Sequence, residues 1–182
     1  MLAMLARYEA VPGLYDELLD EKGEVRAHWR PVLETLADLG PRELEKRFAG
    51  ADRYLRDSGV YYRVYDDTQN REKTWPLAHL PLVIAPDEWR ALSEGLRERA
   101  ELLEWVVKDL FGPGDLVRDG LLPGAAVAGA QDYLRPLVGT KPRGGSHLLY
   151  YAVDVGRGPD GRWWVLGDRA QAPSGAGYAL QN

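Results

Sequence analysis

Two runs rich in β-branched and aromatic residues near the C-terminus, "HLLYYAVDVGR" and "RWWVLGD", flank the tetrapeptide "GPDG". Such runs on either side of a Gly/Pro/Asp turn predict an antiparallel β-hairpin. Upstream, "PDEWRALSEGLRERAELLEWVVKDLFGPG" opens near Pro86 and carries Trp89, Leu92, Leu96, Leu103, Val107 and Leu110 at spacings of three, four or seven. That stripe predicts an amphipathic helix, which "GPG" stops. A long helix and a hairpin in one chain of 182 residues place the fold in the α+β class.

The first sixty residues read as short helices. "LYDELLD" precedes an "EKG" turn, and "AHWRPVLETLADLG" ends on a C-capping Gly40. Pro41 suits the first turn of the next helix, "PRELEKRFAGADRYLRDSG". "VYYRVY" predicts a strand, "DDTQNREKT" a loop and "LPLVIA" a second short buried strand. Glycine and proline become dense between Gly112 and Gly145. The expected organisation is a mainly helical region, 1–112, followed by a Gly/Pro-rich connection and hairpin, 113–182.

Composition removes several functions. The net charge of −5 argues against a nucleic-acid surface. Without cysteine there is no disulfide, thiolate metal site or cysteine nucleophile, which also fits a reducing compartment. The apolar start "MLAML" is too short for a signal peptide, and no apolar run approaches the ~20 residues of a membrane span. A cytoplasmic location with no membrane contact is expected.

Asp154 and Asp168 stand near the two ends of the hairpin, fourteen residues apart. An odd number of connecting residues points both side chains to one face; a two-residue Asp160-Gly161 turn points them to opposite faces. Two carboxylates on one face, with Gln171 nearby, suit Mg²⁺, which takes one or two carboxylates plus substrate phosphates. Two solvated strand-end aspartates account for the same spacing. The loop "QAPSGAGY" offers Ser174 and flexible glycines, Gly175 among them, to a phosphate, but lacks the lysine of a P-loop. Arg157 and Arg169 suit phosphate or carboxylate oxygens, or ion pairs with the two acids. Lys141 and Arg143 read as a solvated basic loop. His28, His79 and His147 have no metal spacing, and in the adjacent pair Ser146-His147 the side chains of a strand diverge. Tyr150-Tyr151 and Trp163-Trp164 read as hairpin packing.

Across nearly its whole length the chain resembles the N-terminal portion of the circularly permuted ATP-grasp family, type 2. The resemblance lies in "YDELLD", "GVYYRVY", "WPLAHLPL", "EWRALSEGLRERAELL", "DLFGPGDL", "GLLP", "YLRP" and above all "YAVDVGRGPDGRWWVLGDRAQAPSGAGYAL". It implies a permuted, incomplete ATP-grasp fold and a parent enzyme that ligates a carboxylate to an amine through an acylphosphate, using ATP and Mg²⁺. Asp154, Gly161, Asp168 and Pro173 follow an order similar to the family's metal-binding strand pair. By that likeness Asp154 and Asp168 are metal ligands, Arg157 and Arg169 catalytic, and Gln171, Ser174 and Gly175 cofactor-binding. The block departs from the family in closing "QN", with Gln181 in place of an acid, and in lacking asparagine beside Asp168. This chain is then expected to be a fragment that supplies the metal-binding hairpin, binds ATP weakly or not at all alone, lacks ligase activity by itself, and self-associates through an exposed hairpin edge. The alternative is a stand-alone, non-catalytic binding or scaffold domain derived from the same fold.

Overall fold

The computed structural model describes Leu5, residues 8–64, 71–74, 76–170 and Gly175, with the strands at 61–64 and 71–74 described by their backbone. The chain forms two compact units, Met1–Ala85 and Pro86–Asn182.

In the first unit a short 3-10 turn, Ala27–Trp29, leads into helix α1, Arg30–Asp57. Pro31 occupies the first turn, where its missing N–H costs nothing. The helix breaks where the sequence indicates: Gly40 adopts φ 73°, ψ 163°, and Pro41 restarts the spiral. Leu33 and Leu44, on either side of the break, are both buried, as is Leu55 farther along. Leu18, Trp29 and Leu33 form a core cluster against which Leu5, Leu19, Val25 and Val83 pack.

The segment "LYDELLD", expected to be helical, is instead a looped ribbon closed by an antiparallel bridge between Leu19 and Val25. Its aspartates explain the difference. Asp16 Oδ1 accepts the backbone N–H groups of Leu18 and Leu19, and Asp20 Oδ1 accepts those of Lys22 and Glu24. Side chains that capture local amides compete with the helical ladder. Strand β1, Tyr61–Val64, pairs antiparallel with β2, Arg71–Thr74. The second strand thus comes from the polar stretch expected to be a loop, whereas residues 81–85 lie outside any strand. Pro81 at the start of that segment and Pro86 just after it supply no ladder donors.

The second unit opens with helix α2, Pro86–Leu110, as the apolar stripe predicts. Asp109 caps the short helix α3, Asp115–Arg118: its carboxylate accepts the N–H groups of Asp115 at 2.9 Å and Leu116 at 3.0 Å. Another short helix, α4 (Gly124–Gly129), and a 3-10 turn at Arg135–Leu137 follow. Strands β3, Ala152–Arg157, and β4, Trp163–Arg169, then form the expected hairpin. Helix α2 lies in the same compact unit as this hairpin. The helices and the two antiparallel ribbons make an α+β chain.

Candidate functional site: the two faces of the hairpin

Residues 158–162 connect β3 to β4. Gly158 N–H donates to Arg162 O at 2.8 Å, and Gly161 N–H to Gly158 O at 2.9 Å. Gly161 sits at φ 79°, a conformation side chains rarely adopt, and a Cβ on Gly158 would lie 2.9 Å from Trp164 Nε1. The connection is therefore odd in length, which by itself would put Asp154 and Asp168 on one face.

The ladder reverses that outcome. Arg157, Gly156 and Val155 pair with Trp163, Trp164 and Val165, but Asp154 pairs with Gly167 and Val153 with Asp168. Leu166 is an extra residue in β4, and this bulge shifts every later position by one. Asp154 consequently shares a face with Gly167 and Arg169, and Asp168 shares the other with Val153 and Tyr151. A Cβ placed on Gly167 would point at Asp154 Oδ2, 4.0 Å away.

The face carrying Asp168 packs on α2. Arg99 donates to Asp168 through Nε at 2.7 Å and Nη2 at 2.6 Å, a bidentate clamp, and Tyr151 Oη donates to the same carboxylate. The Arg99 hydrogen bonds, followed by that of Tyr151, lower the Asp168 pKa to about 2. Burial and then the hydrogen bond to Asp168 raise that of the Tyr151 phenol. Farther along, Arg157 Nη1 donates to Glu88 Oε1 and to Gly161 O, and its guanidinium lies 4.1 Å from the centre of the Trp163 ring. Trp163 Nε1 also donates to Glu88 Oε1, at 3.1 Å. With its side chain only 7% exposed, Arg157 is a packed tie between the hairpin and α2.

The opposite face is open. Arg169 donates to Asp154 Oδ2 through Nε at 3.0 Å and Nη2 at 2.8 Å. The two side chains are 59% and 54% exposed, and Trp164 and Leu166 are 56% and 72% exposed.

The hairpin brings Asp154 and Arg169 together and separates Asp168 and Arg157 from them. Gln171 and Ser174 lie outside the described residues. Gly175 takes φ 117°, a conformation that favours glycine. Among the described residues no group of three His, Asp or Glu side chains is arranged to hold a metal ion. Ser146 and His147 both address Glu104: Ser146 Oγ lies 3.2 Å and His147 Nδ1 3.2 Å from its carboxylate oxygens, which also accept the N–H groups of His147 and Leu148. Burial pushes the Glu104 pKa up, the backbone hydrogen bonds pull it down, and the net shift is downward.

Sequence reasoning passed over Glu88, Arg99 and Glu104, and read Tyr151 only as hairpin packing. A signal for the first two existed. Glu88 precedes Leu92 by four, and Arg99 follows Leu96 by three, so both charges fall beside the apolar stripe of α2.

Comparison with known proteins accords with the resemblance. The family model for circularly permuted ATP-grasp type 2 matches residues 81–182. An uncharacterised protein of Synechocystis sp. is 36% identical over 172 residues, covering 94% of this chain and 36% of that protein. A Frankia alni protein provisionally named glutamate–cysteine ligase 2-3 is 35% identical over 178 residues, covering 98% of this chain and 20% of its own length. An uncharacterised protein of Mycobacterium tuberculosis is 33% identical over 174 residues, covering 91% of this chain and 20% of that protein. The chain thus spans between a fifth and about a third of these relatives. No helix among the described residues is long and apolar enough to cross a membrane. With its C-terminal hundred residues matching throughout, the chain belongs to the circularly permuted ATP-grasp type 2 family.

Proposed function

We propose that this chain is the hairpin-bearing part of an ATP-dependent, cytoplasmic ligase that joins a carboxylate to an amine, and that its open hairpin face receives the metal–phosphate end of the nucleotide. The observation that carries this is the juxtaposition of Asp154 and Arg169 on that face, inside the family-matched segment. ATP-grasp enzymes generally use ATP and Mg²⁺, and the single carboxylate present here suits a Mg²⁺ that enters with its nucleotide. One exposed carboxylate would be enough where substrate phosphates and water supply the remaining oxygens. Asp154 would hold the ion, and Asp168, clamped by Arg99 on the other face, would not join it.

When bound, Mg²⁺ neutralises charge on the phosphates. Arg169 donates to a phosphate oxygen from a planar fork. Arg157 and Asp168 are positioning residues: they tie the hairpin to α2 through Glu88 and Arg99 and so hold the open face in shape. Gln171, Ser174 and Gly175 continue the chain from Arg169 and are proposed as further contacts to the nucleotide. The name of the Frankia relative suggests an amino-acid carboxylate and an amino-acid amine as substrates. This chain alone is proposed to lack turnover, since it spans only a fifth of that protein.

Isothermal titration of the chain with ATP in excess Mg²⁺ tests the assignment. Asp154→Asn is expected to lose the weak binding that the wild type shows and Asp168→Asn to keep it; equal, measurable binding by wild type and Asp154→Asn overturns the reading. A second reading, a non-catalytic binding domain, is favoured by the exposed Trp164 and Leu166 beside the site. It predicts concentration-dependent self-association in light scattering, abolished by Trp164→Ser with Leu166→Ser, and no response to nucleotide.

A further inference from the structure

The open face carries its own counter-cation. Both donors of Arg169 converge on the single oxygen Oδ2 of Asp154, and Gly167, directly across the ladder, contributes no side chain that could compete. On the packed face Asp168 is likewise held by the Arg99 fork, but there the pair is part of the contact with α2. The Asp154–Arg169 pair has no such structural duty: both side chains are more than half exposed. An exposed pair of this kind adds little to stability, so its partners exchange readily.

From this geometry we infer that Arg169 is a guard. It neutralises Asp154 and repels a bare divalent cation, and it releases the carboxylate when an anionic polyphosphate draws its guanidinium away. One ion pair becomes two: carboxylate with metal, guanidinium with phosphate. Each charge on the face keeps an opposite partner when metal and anion enter together, whereas metal alone would leave the guanidinium facing a cation. The inference rests on the proposal that Asp154 is the carboxylate that receives the ion, and it makes Arg169 the residue that selects metal–nucleotide over free metal.

A guanidinium near 5 Å from a divalent cation repels it by enough, in water, to change affinity roughly tenfold. Mn²⁺ binding to the full chain, read by the electron paramagnetic resonance signal of the free ion, tests this without relying on activity. Arg169→Gln is expected to bind bare Mn²⁺ roughly tenfold more tightly than wild type. The same variant is expected to bind the preformed Mn²⁺–ATP complex, read by the enhancement of water proton relaxation, roughly tenfold more weakly, having lost a charge-assisted hydrogen bond to phosphate. Arg169→Lys, which keeps the charge, should match wild type towards bare Mn²⁺. Two effects of opposite sign from one substitution are not produced by a merely structural arginine.

Bare-metal affinity that is unchanged or weaker in Arg169→Gln overturns the guard. So does a gain that survives in the double variant Asp154→Asn/Arg169→Gln, because the ion is then bound elsewhere. If instead the bare-metal gain appears and requires Asp154, while the Mn²⁺–ATP complex binds no variant, cation exclusion by Arg169 stands. In that case its release by polyphosphate and the nucleotide reading both fail.

Discussion

In the unit spanning 1–85, Leu18, Trp29 and Leu33 bury one another and Leu44 and Leu55 are buried along α1. In the unit spanning 86–182 no described hydrophobic side chain is buried to that degree. There the elements are joined by polar ties: Glu88 to Arg157 and Trp163, Arg99 to Asp168, Glu104 to the 146–148 turn, and Asp109 to the start of α3. Trp105, Leu121, Leu149 and Leu166 stay exposed. The difference teaches that directed hydrogen bonds can define a shape that places a site even where little apolar area is removed from water. Hydrophobic burial is non-directional and sets most of the stability; charge-assisted hydrogen bonds fix register and orientation.

The sharpest way to break this contrast is truncation on both sides of it. Trp29→Ala is expected to destabilise the first unit by about 3–5 kcal/mol, whereas Trp105→Ala should stay within about 0.5 kcal/mol. Urea unfolding followed by circular dichroism measures both. A cost for Trp105→Ala comparable with that of Trp29→Ala would mean that the second unit has an apolar core after all.

Next in size is Glu104→Ala. It strips acceptors from the backbone N–H groups of His147 and Leu148 and should cost about 1.5–3 kcal/mol. Faster hydrogen exchange at those two amides, with protection in α1 unchanged, is the expected signature. Uniform acceleration across both units would contradict a local role.

The Arg99 clamp predicts a pH effect confined to the second unit. Because the Asp168 pKa is lowered from 3.8 to about 2 in the folded chain, its contribution is complete above about pH 4 and disappears as the pH falls towards 2. Wild type should therefore lose stability relative to Asp168→Asn over that window and nowhere above it. Acid titrations of the two proteins, compared by tryptophan fluorescence, test the sign.

Smallest of all should be the stability change in Arg169→Gln, within about 0.5 kcal/mol, since an exposed ion pair is worth little. A Tm that falls by many degrees would show the pair to be structural and would remove the basis for exchangeable partners.

Much of the local structure is legible in the residues. Gly40-Pro41 announces the break in α1, the stripe from Leu92 to Leu110 announces α2, and the two aromatic runs around "GPDG" announce the hairpin. Each depends on neighbours within a few positions, where backbone sterics and periodicity act. The local code also misleads where two short-range effects compete. Asp16 and Asp20 capture amides that a helix needs, and "REKT" becomes a strand because β1 offers it a ladder.

The site shows where such reasoning ends. The residue types at 154, 157, 168 and 169 are able to hold ions and phosphates, and all four lie within the segment that matches the family. Whether they converge was decided by one inserted residue. Strand side chains alternate with a period of two, so the bulge at Leu166 moved Asp168 to the face of Arg99 and Tyr151 and left Arg169 beside Asp154. Nothing in "WWVLGDR" signals which residue will be unpaired, because the ladder registers against the opposite strand and against the helix beneath it. The chemistry available to this protein was written in its sequence; which carboxylate meets which arginine was settled only when the strands paired.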